Sequence, residues 1–133
     1  DGRLWAAMEA LHQDGRVSLL GVSNVSPRQL AVLCDEASVV PAFVQNRCFA
    51  RMGWDRDTRD VCRREGVTYQ GFSLLTANVA ELESATIGRI AAKHRVSRTR
   101  VIFRFALQVG MVCLTGTTDA DNARSLYARY VGA

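Results

Sequence analysis

Short apolar runs alternate with helix-patterned segments along the whole chain, and this alternation restricts the fold more than any other feature. Gly2 to Gln13 carries Leu4, Trp5, Met8 and Leu11 at helical spacing. Asp1 is placed to cap its start, and Gly15 stands where a left-handed residue closes a helix. Val17 to Val22 then reads as a strand that is apolar on both faces, the pattern of a covered parallel sheet. Ser26-Pro27-Arg28-Gln29 opens the next helix with an N-cap serine, a proline in the first turn and a capping-box glutamine. Leu30, Leu33, Cys34 and Ala37 continue one face of it.

The same alternation repeats. Strands are predicted at Val39 to Gln45, Val67 to Phe72 and Met111 to Thr115. Helices are predicted at Asp57 to Glu65, closed by Gly66, at Ser84 to His94 and at Arg98 to Val109. A last helix, capped by Asp119, runs through Tyr130. Strand–helix alternation implies a parallel sheet with right-handed crossovers, and both a doubly wound sheet and a closed barrel satisfy it.

The strand ends favour the barrel. Three strands run into small polar residues: Ser23-Asn24, Gln45-Asn46 and Thr115-Gly116-Thr117-Thr118. The fourth ends in Phe72-Ser73. One polar strand end is what any loop provides. Four of them on otherwise apolar strands describe an arc around one ligand, because a parallel barrel gathers its C-terminal strand ends on one face.

Composition excludes several classes. A chain of 133 residues with 48% hydrophobic and 23% charged residues has the size and balance of a single folded domain, residues 1–133. The net charge of +4 comes from scattered basic residues, a poor match to a nucleic-acid surface. The four cysteines (Cys34, Cys48, Cys62, Cys113) contain no Cys-x-x-Cys pair, and His12 and His94 are far apart, so neither a zinc site nor a disulfide framework is expected. Each thiol reads as a small buried apolar group. Without a signal pattern or a membrane-length apolar run, a cytoplasmic protein with no membrane partner is expected. The chain begins without Met, inside a helical pattern, and reads as an excised piece.

Four stretches together resemble the aldo-keto reductases: Leu19-Leu20-Gly21-Val22-Ser23-Asn24 with Val25-Ser26-Pro27-Arg28-Gln29-Leu30, Val40 to Cys48, Gly66 to Leu75, and Leu114-Thr115-Gly116-Thr117-Thr118. The resemblance covers essentially the whole chain. It implies a parallel (β/α)8 TIM-barrel fold of which this chain supplies the second half. A full barrel needs about 250 residues, so this length accounts for about four βα units.

The resemblance also implies an NADPH-dependent reduction of an aldehyde or ketone. On it, Ser23, Asn24 and Gln45 bind the nicotinamide carboxamide, and Phe72 stacks on the ring where the family often has Tyr. Ser73 and Leu75 line the pyrophosphate, Thr117 and Thr118 hold the adenosine phosphate, and Arg124 is the candidate basic residue there. The family's catalytic Asp, Tyr, Lys and His come from the first four strands and have no counterpart here. Lys93 is the only lysine and falls in a helix, and Tyr69 lies inside a strand. No catalytic residue is assigned, and the chain alone is expected to be inactive.

Two other readings compete. A non-catalytic half-barrel, acting as a binding or scaffold module, would expose two open strand edges. Such a chain is expected to associate with itself unless the missing N-terminal half-barrel is supplied. A helix-turn-helix over residues 87–107 would use Arg89, Lys93, Arg95, Arg98, Arg100 and Arg104 on DNA. Its second helix, Val101-Ile102-Phe103-Arg104-Phe105-Ala106-Leu107, is too apolar all round to lie in a groove, so nucleic acid is not an expected partner. Trp5 reads as core. Trp54, just past a strand end, reads as either surface packing or a wall of the site mouth.

Overall fold

A computed structural model describes residues 2–124. Asp1, as a cap, and the last helix beyond 124 lie outside the described residues. The elements are α1 (Gly2–Gln13), β1 (Gly21–Ser23), α2 (Pro27–Glu36), β2 (Phe43–Arg47), α3 (Arg56–Glu65), β3 (Thr68–Phe72), the single turn α4 (Val79–Leu82), α5 (Ala85–His94), α6 (Arg98–Gln108) and β4 (Val112–Cys113). A 3-10 segment, Ala50–Asp55, links β2 to α3. The four strands form one parallel sheet in the order β1-β2-β3-β4.

The caps follow the local sequence. Ser26 accepts from the Gln29 amide while Gln29 closes back on Ser26, completing the capping box on α2. Ser84 and Ser97 cap α5 and α6, and Asp119 accepts from the Asn122 amide at 2.7 Å. Gly66 takes φ 70° at the end of α3, the left-handed close that its position predicts.

The strands are shorter than the apolar runs. The expected strand Val17 to Val22 pairs only over Gly21–Ser23. Leu20 still accepts from the Ala42 amide at 2.8 Å, but Val17 to Leu19 have no neighbouring strand among the described residues. The expected strand Val39 to Gln45 begins instead at Phe43. Both polar groups of Val39 are taken by α1: its carbonyl accepts from Trp5 Nε1 at 3.2 Å, and its amide donates to Glu9 at 2.8 Å. Pro41 then has no N–H to offer a ladder. The expected strand Met111 to Thr115 is regular only over Val112–Cys113, although the Leu114 amide continues the pairing to Gly71.

Side chains alternate across the sheet, so each strand has a packed face and an open one. Val44, Asn46 and Tyr69 are buried on the packed face, in a core shared with Leu30 of α2 and Ile102, Phe103 and Ala106 of α6. Gly71 fits there because a Cβ would lie 3.3 Å from both Cys48 Cβ and Met111 Sδ. Gly21, Ser23, Phe43, Gln45, Gln70 and Phe72 lie on the opposite face, which no described element covers. The expectation of a sheet covered on both faces therefore fails for this chain: Leu19 is 59% exposed and Val112 43%.

Candidate functional site

The C-terminal ends of β1, β2 and β3 lie side by side through the sheet register, and two of them end in strained residues. Asn24 (φ 56°) follows β1 and Ser73 (φ 59°) follows β3. A left-handed conformation is uncommon for residues with a Cβ, less so for Asn than for Ser, and concentrates at functional sites.

Ser23, Asn24 and Gln45 form one cluster. Ser23 is registered with Gln45, which is registered with Gln70. The Ser23 hydroxyl donates to the Gln45 carbonyl at 2.7 Å, and the Asn24 amide donates to the same oxygen at 3.0 Å. On the open face Gln45 Nε2 donates to Gln70 Oε1 at 3.2 Å. Gln70 belongs to the same cluster, although it lies inside its strand rather than at the end. Its signal was present as a polar residue two positions before Phe72, at the same parity.

Phe72, Ser73 and Leu75 form a second cluster. They line a cavity of about 330 Å³ with Phe103, Leu114 and Gly116, between the ends of β3 and β4. Thr117 and Thr118 follow directly in sequence and are exposed, and the Thr117 hydroxyl accepts from the Asp119 amide at 3.1 Å. Arg124 is drawn to its own helix: it pairs with Asp121 at 2.7 Å, with both side chains well exposed. Arg47, registered with Phe72 at the open end of β2, places a guanidinium 5.9 Å from the centre of the Phe49 ring.

Tyr69 points away from this face. Its side chain is buried and its hydroxyl donates to Asp55 at 2.8 Å. Burial and the neighbouring Cys48 and Asp55 push its ionisation far above the ordinary tyrosine range. Lys93 and His94 are exposed in α5. Trp54 packs at the edge of the core against Phe105, with ring centres 5.0 Å apart. In the segment that suggested DNA binding, α6 buries Ile102, Phe103 and Ala106, and Arg98 donates to the Leu82 and Ser84 carbonyls at 2.6 and 3.0 Å. Among the described residues no group of three or more His, Cys, Asp or Glu is arranged to hold a metal, and no helix is long and apolar enough to cross a membrane.

The family model described as "Aldo/keto reductase family" matches residues 3–128. The chain belongs to the aldo/keto reductase family. It is 32% identical to a glyoxal reductase of Bacillus subtilis over 110 residues, covering 83% of this chain and 39% of that protein. It is 31% identical to aldo-keto reductase family 4 member C11 of Arabidopsis thaliana, covering 90% of this chain and 40% of that protein. The chain thus spans about two fifths of these curated relatives. Among solved structures, an aldo-keto reductase from a Medee basin deep-sea metagenome superposes with a TM-score of 0.84 at 19% identity. One from Brucella melitensis superposes with a TM-score of 0.81 at 24% identity. Each match covers 96% of this chain and 48% of the other. These likenesses give the fold: the four-stranded parallel sheet with its helices corresponds to about half of an aldo-keto reductase TIM barrel.

The cysteines are structural in this setting. Burial raises the thiols of Cys48 and Cys62 from 9.0 to about 11, with Asp55 adding to the rise. Such a shift favours the protonated native state, so its stabilising effect is complete below pH 9 and is lost as pH climbs to about 11. Urea midpoints should therefore fall between pH 9 and 11, with the drop reduced by Cys62→Ala. Midpoints flat across that window would contradict the burial of both thiols.

Proposed function

We propose that the chain is the second half of a (β/α)8 barrel and carries the nicotinamide side of an NADPH site in an enzyme that reduces an aldehyde or ketone. The observation that carries this reading is the clustering of Ser23, Asn24 and Gln45 at the adjoining ends of β1 and β2, with a left-handed backbone at Asn24 and at Ser73 after β3.

The residues present fit the group. A carboxamide offers two donors and one acceptor, and its site must answer both. Among the described residues, Gln45 Oε1, Gln70 Nε2 and the Asn24 side-chain amide have no hydrogen-bond partner, so acceptors and donors both remain. Ser23 donates its proton to the Gln45 carbonyl and keeps its lone pairs. Phe72 adds a flat apolar surface on the same face as Gln45, suited to shielding one side of the ring from water. The cavity behind Ser73 and Leu75 is the place for the linking phosphates, with Thr117, Thr118 and Arg124 on the adenosine side.

When bound, NADPH supplies the hydride. This chain's residues would fix the ring that carries it, and proton transfer to the carbonyl oxygen belongs to residues outside this chain. Tyr69, whose hydroxyl is engaged by Asp55 on the packed face, supports that division.

The test uses the protein at its natural length. NADPH fluorescence should respond on mixing, and NADPH absorbance should then fall when an aldehyde is added. Absence of both responses contradicts the proposal. Binding without turnover favours the second reading, a non-catalytic half-barrel module, for which the outer edges of β1 and β4, unpaired among the described residues, speak.

A further inference from the structure

We propose that Asn46 and Asp55 are positioning residues that hold Asn24 in its left-handed conformation; the role rests on the nicotinamide site proposed above. Asn46 neighbours Gln45 in β2, but its side chain lies on the opposite, packed face and is 6% exposed. From there it grips the residue after Asn24 at two points. Its Oδ1 accepts from the Val25 amide at 3.1 Å, and its Nδ2 donates to the Val25 carbonyl at 2.8 Å. On the other side, the Asn24 amide donates to the Gln45 carbonyl. Two successive residues of β2 thus hold the backbone before and after the strained position.

Asn46 is held in turn. Its Nδ2 also donates to Asp55 Oδ2 at 2.8 Å. The same oxygen accepts from the Tyr69 hydroxyl at 2.8 Å, and Asp55 Oδ1 accepts from the Thr58 hydroxyl at 2.6 Å. Asp55 occupies the N-cap position of α3, where an aspartate ordinarily accepts from a backbone amide of the first turn. Here its side chain makes no capping bond. It is also the last of three consecutive left-handed residues, Gly53 (φ 62°), Trp54 (φ 58°) and Asp55 (φ 52°).

A helix cap is forgone and two residues with a Cβ are held in a costly conformation, and both deviations turn one carboxylate towards Asn46. Strain of this kind persists only where the surroundings enforce it. Its effect here is transmitted through Asn46 and Val25 to Asn24, whose side chain has no hydrogen-bond partner among the described residues and is aimed by its backbone. Asn46 and Asp55 touch no part of the open face themselves.

The experiment compares two probes on the natural-length protein: NADPH, and 2′-phospho-ADP-ribose, which lacks the nicotinamide ring. Asn46→Ala should weaken NADPH roughly five- to tenfold, about one hydrogen bond's equivalent, and leave the fragment unchanged. Asp55→Asn keeps the residue's size and should shift the same ratio in the same direction, which serves if Asn46→Ala does not fold. The double variant should be no weaker than the worse single one, because the two act in series. Equal loss of both probes shows a purely structural role and overturns the proposal, as does an unchanged NADPH affinity or simple additivity. A wild-type protein that binds the fragment as tightly as NADPH, or binds neither, overturns the ring site itself.

Discussion

Replacing Asn24 and Gln45 together by alanine should weaken NADPH binding to the natural-length protein ~30- to 100-fold, the product of two net hydrogen-bond losses. Gln45 lies on the open side of the sheet and Asn24 is exposed at the end of β1, and neither side chain belongs to the core. The Asn24 side chain has no hydrogen-bond partner among the described residues, and the Gln45 side chain bonds only Gln70 there. The double variant should therefore melt close to the wild type while its fluorescence titration shifts to much higher NADPH. Each single variant should show part of the effect. A double variant that binds NADPH within about twofold of wild type would remove both residues from the site, since even one such bond is worth more than that.

The second large effect is on stability. Ile102→Ala should cost about 2–5 kcal/mol, the range for truncating a fully buried branched side chain without collapse of the site. Ile102 is 1% exposed in the middle of α6, the helix that packs on both α5 and β4. Leu4 provides the contrast: it is 67% exposed on α1, and Leu4→Ala should change stability by no more than about 0.5 kcal/mol. Chemical denaturation of both variants checks the pair. A small effect at Ile102 would mean that α6 is not seated in the core and would reopen the helix-turn-helix reading of residues 87–107.

The helix caps were legible in the sequence because each depends on neighbours within a few residues. Ser26-Pro27-Arg28-Gln29 is a complete local instruction, and the structure shows it carried out. The strand limits were not legible because distant groups decide them. Val39 is apolar and β-branched, yet Trp5 and Glu9 of α1 take both of its backbone groups, and β2 starts four residues later. Val17 to Leu19 read as strand by pattern but lack a partner to pair with among the described residues.

The site divides in the same way. Ser23, Asn24 and Gln45 are legible as candidates because polar residues stand out at the ends of apolar strands. Gln70 was passed over for lying inside its strand, although parity puts it beside Gln45. Asn46 was seen only as part of a polar strand end. The links that give it a role, to Val25 and Asp55, span 21 and 9 residues and exist only once β1, β2 and the turn before α3 are assembled.

A crystal structure of the natural-length protein with NADPH tests the central claim most directly. The nicotinamide carboxamide should lie within hydrogen-bond distance of the Asn24 and Gln45 side chains, with the ring against Phe72 and the pyrophosphate over Ser73. A nicotinamide ring bound elsewhere, with Asn24 and Gln45 facing only solvent, would contradict it.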